Sequence, residues 1–72
     1  QVVNVKLATD AKLTLTNTSY VDALELEDTA FNNLDLAGNI LYYNMNNPLN
    51  DFLQGETHTL GSGELVPYGG PQ

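Results

Sequence analysis

Seventy-two residues at 7.8 kDa, with nine carboxylates against two lysines and no arginine, make at most one small acidic domain. A chain this short buries only about 60% of the surface its unfolded form exposes, and with no cysteine it has no disulfide or thiolate metal site to reinforce a thin core. A formal net charge of -7 repels phosphate backbones and anionic headgroups, which argues against nucleic acid and membrane surfaces as partners, and no apolar run approaches the ~18 residues of a membrane helix.

Val3, Val5 and Leu7 alternate with Asn4 and Lys6, the period-two pattern of a strand with one buried face. Leu13 and Leu15 alternate with Lys12, Thr14 and Thr16 in the same way. Between them Ala8-Thr9-Asp10-Ala11 is short and polar enough for a hairpin connection, and Asn17-Thr18-Ser19 closes the second strand with turn formers. From Tyr20 to Asp28 two templates compete. Leu24 and Leu26 inward with Glu25 and Glu27 outward read as a strand; Ser19 with Asp22 three residues on reads as a helix cap. The strand is the preferred reading.

Leu34 and Leu36 alternate around Asp35, and Gly38-Asn39 suits a tight hairpin turn into a strand over 40–45. Asn47 at a cap position, Pro48 at the first helical position and Gly55 at the end predict a short helix or loop around residues 48–54, with Leu49, Phe52 and Leu53 on one face. Thr57–Leu60 and Glu64–Tyr68 flank Gly61-Ser62-Gly63, a third hairpin signal. Pro67 lacks an N–H, so its strand lies at an edge or pairs on one side only. The expected fold is all-β: a small β-sandwich or open barrel of six to seven short strands, one domain over 1–68, with 69–72 as tail or linker. Its core is Val3, Val5, Leu7, Leu13, Leu15, Leu24, Leu26 and Ile40, with Lys6, Lys12, Glu25 and Glu27 outside.

Convergent chemistry is scarce. His58 is the single imidazole and sits between two threonines in a strand, where a structural role is the default, and no Cys nucleophile, phosphate loop or nucleophile elbow is present. The reading is therefore no enzyme, no catalytic residue and no cofactor. Asp28, Asn32, Asn33 and Asp35 could offer oxygens to calcium, but neither the spacing nor the glycine of an EF-hand loop is there, so no metal site is assigned. Phe31, Leu36 and Leu41 recur every five residues, like coils of a pentapeptide solenoid; the period stops after these positions, and the recurrence reads as coincidence.

Nine asparagines and seven threonines make a surface polar by amide and hydroxyl rather than by mixed charge, as in many secreted, cell-surface and virion proteins. Asn17-Thr18-Ser19 also matches the N-glycosylation acceptor pattern. Gln1 in place of methionine reads as a processed product or an excerpt. The run Leu13-Thr14-Leu15-Thr16-Asn17-Thr18-Ser19, followed by Leu24, Leu26 and Asp28-Thr29, resembles the turn and following strand of immunoglobulin-like repeats in prokaryotic envelope proteins. With the Leu60–Val66 hairpin it is also similar to small β-sandwich proteins of tailed-phage virions. Ser19 stands where those repeats carry glycine, no proline follows Asp28, and the length is short of the ~100 residues of an immunoglobulin domain.

The resemblance implies a non-catalytic structural subunit of an extracellular particle, a virion decoration, minor capsid or tail-type protein acting by protein–protein contacts. The alternative is an immunoglobulin-like module of a cell-surface, adhesin or pilus-type protein. The expected partners are other protein subunits of one assembly, with no nucleic acid and no membrane insertion, in a virion or at a cell surface. Val2, Val3, Val5, Tyr42, Tyr43, Phe52, Val66 and Tyr68 are the expected contact residues, because apolar strand edges and clustered aromatics anchor interfaces.

Overall fold

The computed structural model describes residues 4–27 and 31–69. Within them the chain is all-β but for one short helix: β1 (Asn4–Leu7), β2 (Leu13–Thr14), β3 (Ser19–Val21), β4 (Ala23–Leu26), β5 (Leu34–Asp35), β6 (Ile40–Asn44), a 3-10 helix (Pro48–Leu53), β7 (His58–Leu60) and β8 (Gly63–Tyr68). β1 pairs with β4, β2 with β5, and β3 with β6, all parallel. β8 continues the third row parallel to β6, and β7 folds back antiparallel on β8. Asn4 lies beside Ala23, Leu13 beside Leu34 and Ser19 beside Leu41, so the chain returns to each face after about twenty residues. The result is a three-faced stack of coils.

This arrangement corrects two of the expected hairpins. β1 and β2 do not pair with each other, nor do β5 and β6; the described strands form sheets of two, two and four strands without barrel closure. Alternation says which residues face inward but not which strand lies alongside, and side chains reaching between coils decide that here. Asn33 donates its amide to the carbonyls of Ala8 (3.1 Å), Thr9 (2.6 Å) and Ala11, while Glu27 Oε1 accepts from Thr9 N–H at 2.8 Å. The 8–11 loop is thereby fastened to the second coil. At the next corner Ala37 and Gly38 both take positive φ, 50° and 81°, and swing the chain onto another face instead of reversing it. The third expected hairpin, β7 with β8, is present.

Each coil stacks apolar side chains on the next. Val5 sits beside Leu24, Leu7 beside Leu26, Leu13 beside Leu34, Val21 beside Tyr43, and Leu41 beside Leu65. Leu15, Leu24, Leu26, Leu36, Leu41, Tyr43, Leu53 and Leu65 are buried, with Val5, Leu7 and Leu13 packed half-buried around them. The 20–27 segment is extended rather than helical, as preferred, but it is two strands broken at Asp22, β3 pairing with β6 and β4 with β1, and Glu25 is half-buried where Leu24 is fully buried. Ile40 is corrected to half-buried: Leu41 and Tyr43 fill the interior, and alternation turns Ile40 and Tyr42 the other way. Val3 lies outside the described residues.

The helix begins as expected, Asn47 capping Leu49 N–H at 3.0 Å and Pro48 following, but its buried face differs. In a 3-10 helix three residues complete a turn, so Asn50 and Leu53 eclipse and point inward while Leu49 and Phe52 are exposed. Gln54 ends it in the left-handed region at φ 60°.

Candidate interaction surface

The two ends of the stack are built differently. At the C-terminal end the first face is closed by the helix, whose Asn50 bonds to β4. On the third face β7 covers Gly63–Leu65 of β8. Pro67 falls in the half of β8 that pairs only with β6, the one-sided position its missing N–H requires. At the N-terminal end β1, β2 and β3 each have a strand partner on one side only among the described residues.

The orientation of the free backbone groups follows from the bonds already made. Glu27 N–H donates to Leu7 C=O at 3.0 Å, so Leu7 and Val5 bond toward β4, and alternation aims the N–H and C=O groups of Asn4 and Lys6 away from it. Leu13 and Leu15 donate to Asn33 and Asp35, which leaves Thr14 aimed outward in β2. Between these edges lies a depression of about 250 Å³ lined by Val5, Leu13, Leu15, Tyr20, Val21 and Leu41, with Thr14, Thr16 and Ser19 as its polar members. Both lysines and a single carboxylate, Asp10, belong to this first coil; the other eight carboxylates follow it in sequence. The open end is mostly apolar inside, carries strand edges without a partner among the described residues, and belongs to the least acidic part of the sequence.

A second surface lies on the outer side of the four-stranded sheet. Tyr20 stacks on Tyr42 with ring centroids 4.6 Å apart, and Tyr68 meets Tyr20 edge-on at 5.5 Å. Tyr42 lies opposite Val66 in the ladder. Burial raises the Tyr68 hydroxyl above its ordinary value, with the Asp22 carboxylate adding to the shift. Asp22 itself is held by the amides of Asn44 (2.8 Å) and Asn47 (3.0 Å).

Of the expected contact residues, Val5 lines the open end, Tyr42, Val66 and Tyr68 share the outer sheet face, and Phe52 is exposed on the helix at the opposite end. Tyr43 is corrected: it is fully buried and donates its hydroxyl to Glu56 C=O at 2.5 Å, so it belongs to the core. Val2 and Val3 lie outside the described residues. Tyr20, 54% exposed, shares the outer sheet face; it opens the 20–28 segment for which helix and strand templates compete, and its place beside Tyr42 in the ladder turns it outward.

A groove of about 440 Å³ runs beside β5 where the third coil has no strand, lined by Phe31, Leu34, Leu36 and Leu60 with Lys12 and Asp35 at its rim. His58 lies near it, its ring 5.5 Å from Phe31 and its Nε2 2.8 Å from Leu53 C=O, holding the end of the helix. Among the calcium candidates, Asn33 gives its amide to the 8–11 loop and Asp35 accepts from Ala37 N–H at 3.0 Å, while Asp28 lies outside the described residues. Among the described residues no three His, Cys, Asp or Glu side chains converge as metal ligands. No protein-family model, curated protein or solved structure matches this chain.

Proposed function

We propose that this chain is a non-catalytic structural subunit of an extracellular particle, a virion decoration or minor capsid or tail-type protein, and that it acts by adding strands to neighbouring protein. The observation that carries this reading is the difference between the two ends: one covered on two of its three faces by the helix and β7, the other presenting Asn4, Lys6 and Thr14 backbone groups around a mostly apolar mouth. Strand addition supplies main-chain hydrogen bonds and buried apolar area together, which suits a chain whose own core is thin. The acidic, amide-rich surface is consistent with life in a particle, since it keeps the remaining faces from associating.

Density-gradient fractionation of the native source, probed with an antibody to this chain, tests the proposal. Co-sedimentation with a large protein particle is the expected result. Recovery only as a free small protein overturns it.

A further inference from the structure

Building on that reading, we infer that the occupant of the open end is a second copy of this chain, docked first coil to first coil about a two-fold axis at Val5. The C-terminal end decides against head-to-tail stacking, because on two of its three faces the helix and the antiparallel β7 stand where a following parallel coil would have to pair. Turning a second copy end over end reverses its strand directions, so β1 meets β1 of the other copy antiparallel. The outward groups belong to Asn4 and Lys6, and they pair when Asn4 faces Lys6 and Lys6 faces Asn4 across the axis, with Val5 opposite Val5.

That register has two further merits. It keeps the two Lys6 side chains from opposing each other, whereas a shift that paired Lys6 with Lys6 would set like charges face to face. It also sets the apolar mouths of Val5, Leu13, Leu15 and Val21 against each other, closing two depressions of about 250 Å³ with apolar surface. Charge agrees: the copies meet through the coil that holds both lysines and one carboxylate, and eight of the nine carboxylates in each copy lie outside it. The contact is isologous and closes on itself, giving a dimer and no filament.

Its size bounds its strength. With extents of 27 × 22 × 22 Å, an end face offers roughly 450 Å² per copy, about 900 Å² for the pair, which places the contact among weak, concentration-dependent associations.

Sedimentation equilibrium on the full chain from about 10 to 500 µM, with residue-level hydrogen exchange at both extremes, tests the inference. The expected result is a monomer–dimer equilibrium that strengthens with added salt as net repulsion is screened. With it, protection of the Lys6 and Thr14 amides rises with concentration while the Val5 and Leu13 amides stay as they are. Lys6→Pro, which removes an outward N–H and no inward bond, should abolish the dimer; Lys6→Gln should keep it. Assembly beyond the dimer overturns the closed head-to-head contact. A monomer throughout with fast Lys6 and Thr14 exchange overturns the second copy as occupant and leaves the strand-adding function standing. A monomer in which those amides are already protected overturns both, since the edge is then covered within the chain.

Discussion

The side chain of Asn50 stands beside Leu24 as a peptide group of a third strand would. Its Oδ1 accepts from Leu24 N–H at 2.8 Å and its Nδ2 donates to Asp22 C=O at 2.8 Å, the two bonds that a parallel neighbour would make to the residues on either side of Ala23. The same Nδ2 also donates to Asn44 C=O at 2.8 Å, joining the first face to the third. Asn50 is 2% exposed and Leu24 is fully buried, so the Leu24 N–H depends on Asn50 for its partner.

Asn50→Ala leaves the buried Leu24 N–H without a partner and takes one bond from the half-buried Asp22 carbonyl, while the Asn44 carbonyl keeps Asn47 N–H at 3.1 Å; an orphaned buried group costs about 1 to 3 kcal/mol. The expected outcome in urea denaturation is a loss of about 2 to 3 kcal/mol, a large share of the stability of a domain this small. Asn50→Asp is expected to be as damaging at neutral pH, since it removes the donor and buries a charge. The exposed neighbour Asn46→Ala serves as the control; it gives up a bond to Gly69 C=O at the surface and a few tenths of a kcal/mol are expected.

Gly63 is fixed by contact rather than by backbone angle. A Cβ there would collide with Leu36 Cβ and come within 2.6 Å of Asn39 C=O, both part of the corner between β5 and β6. Gly63→Ala should therefore destabilise by about 1 to 3 kcal/mol, as over-packing does. Gly61→Ala is a different case. It meets no atom, and its penalty comes only from φ 62°. A thermal melt in which Gly63→Ala is no worse than Gly61→Ala contradicts this packing.

Gln54 offers the opposite sign. It is exposed and holds φ 60° at the end of the helix, where its N–H donates to Asp51 C=O. Glycine adopts that conformation without the Cβ penalty, so Gln54→Gly should raise stability by roughly 0.5 to 1 kcal/mol. A higher urea midpoint with an unchanged slope is the expected reading.

The hydroxyl of Tyr43 is pushed above its ordinary value of 10.0 chiefly by burial; the Glu56 backbone bond opposes the shift and the Glu56 charge adds to it. A raised value means that the folded state prefers the neutral phenol. Its contribution is complete below about pH 10 and is lost as the pH climbs through the raised value. Tyr68 shifts the same way. Melting temperature should accordingly fall on the alkaline side. In Tyr43→Phe that descent should be shallower, on top of about 1 kcal/mol lost at neutral pH with the bond to Glu56.

Leu15 and Leu24 show what alternation can and cannot say. Their inward orientation was legible from residue types at every second position, as were the cap at Asn47, the helix start at Pro48, the Gly61 turn and the one-sided pairing of Pro67. Leu15→Ala should cost about 2 to 5 kcal/mol for the same reason the pattern predicts its burial.

Local chemistry determined where strands run and which of their residues turn inward, because period and turn propensity act over a few neighbouring residues. The choice of partner was decided by tertiary structure, since a strand that alternates correctly satisfies a hairpin and a parallel coil equally well. Parallel stacking prevailed here through atoms distant in sequence: Asn33 holding the 8–11 loop, Glu27 holding Thr9, Asn50 bridging Leu24 and Asn44. Each is one of many similar amides or carboxylates in the chain, and only its place in the coil separates it from the rest. For the same reason Tyr43 and Tyr42, adjacent and alike in sequence, end in the core and on the outer face. The open end is likewise a property of the stack, because an edge exists only once the strand that lies on its other side is known.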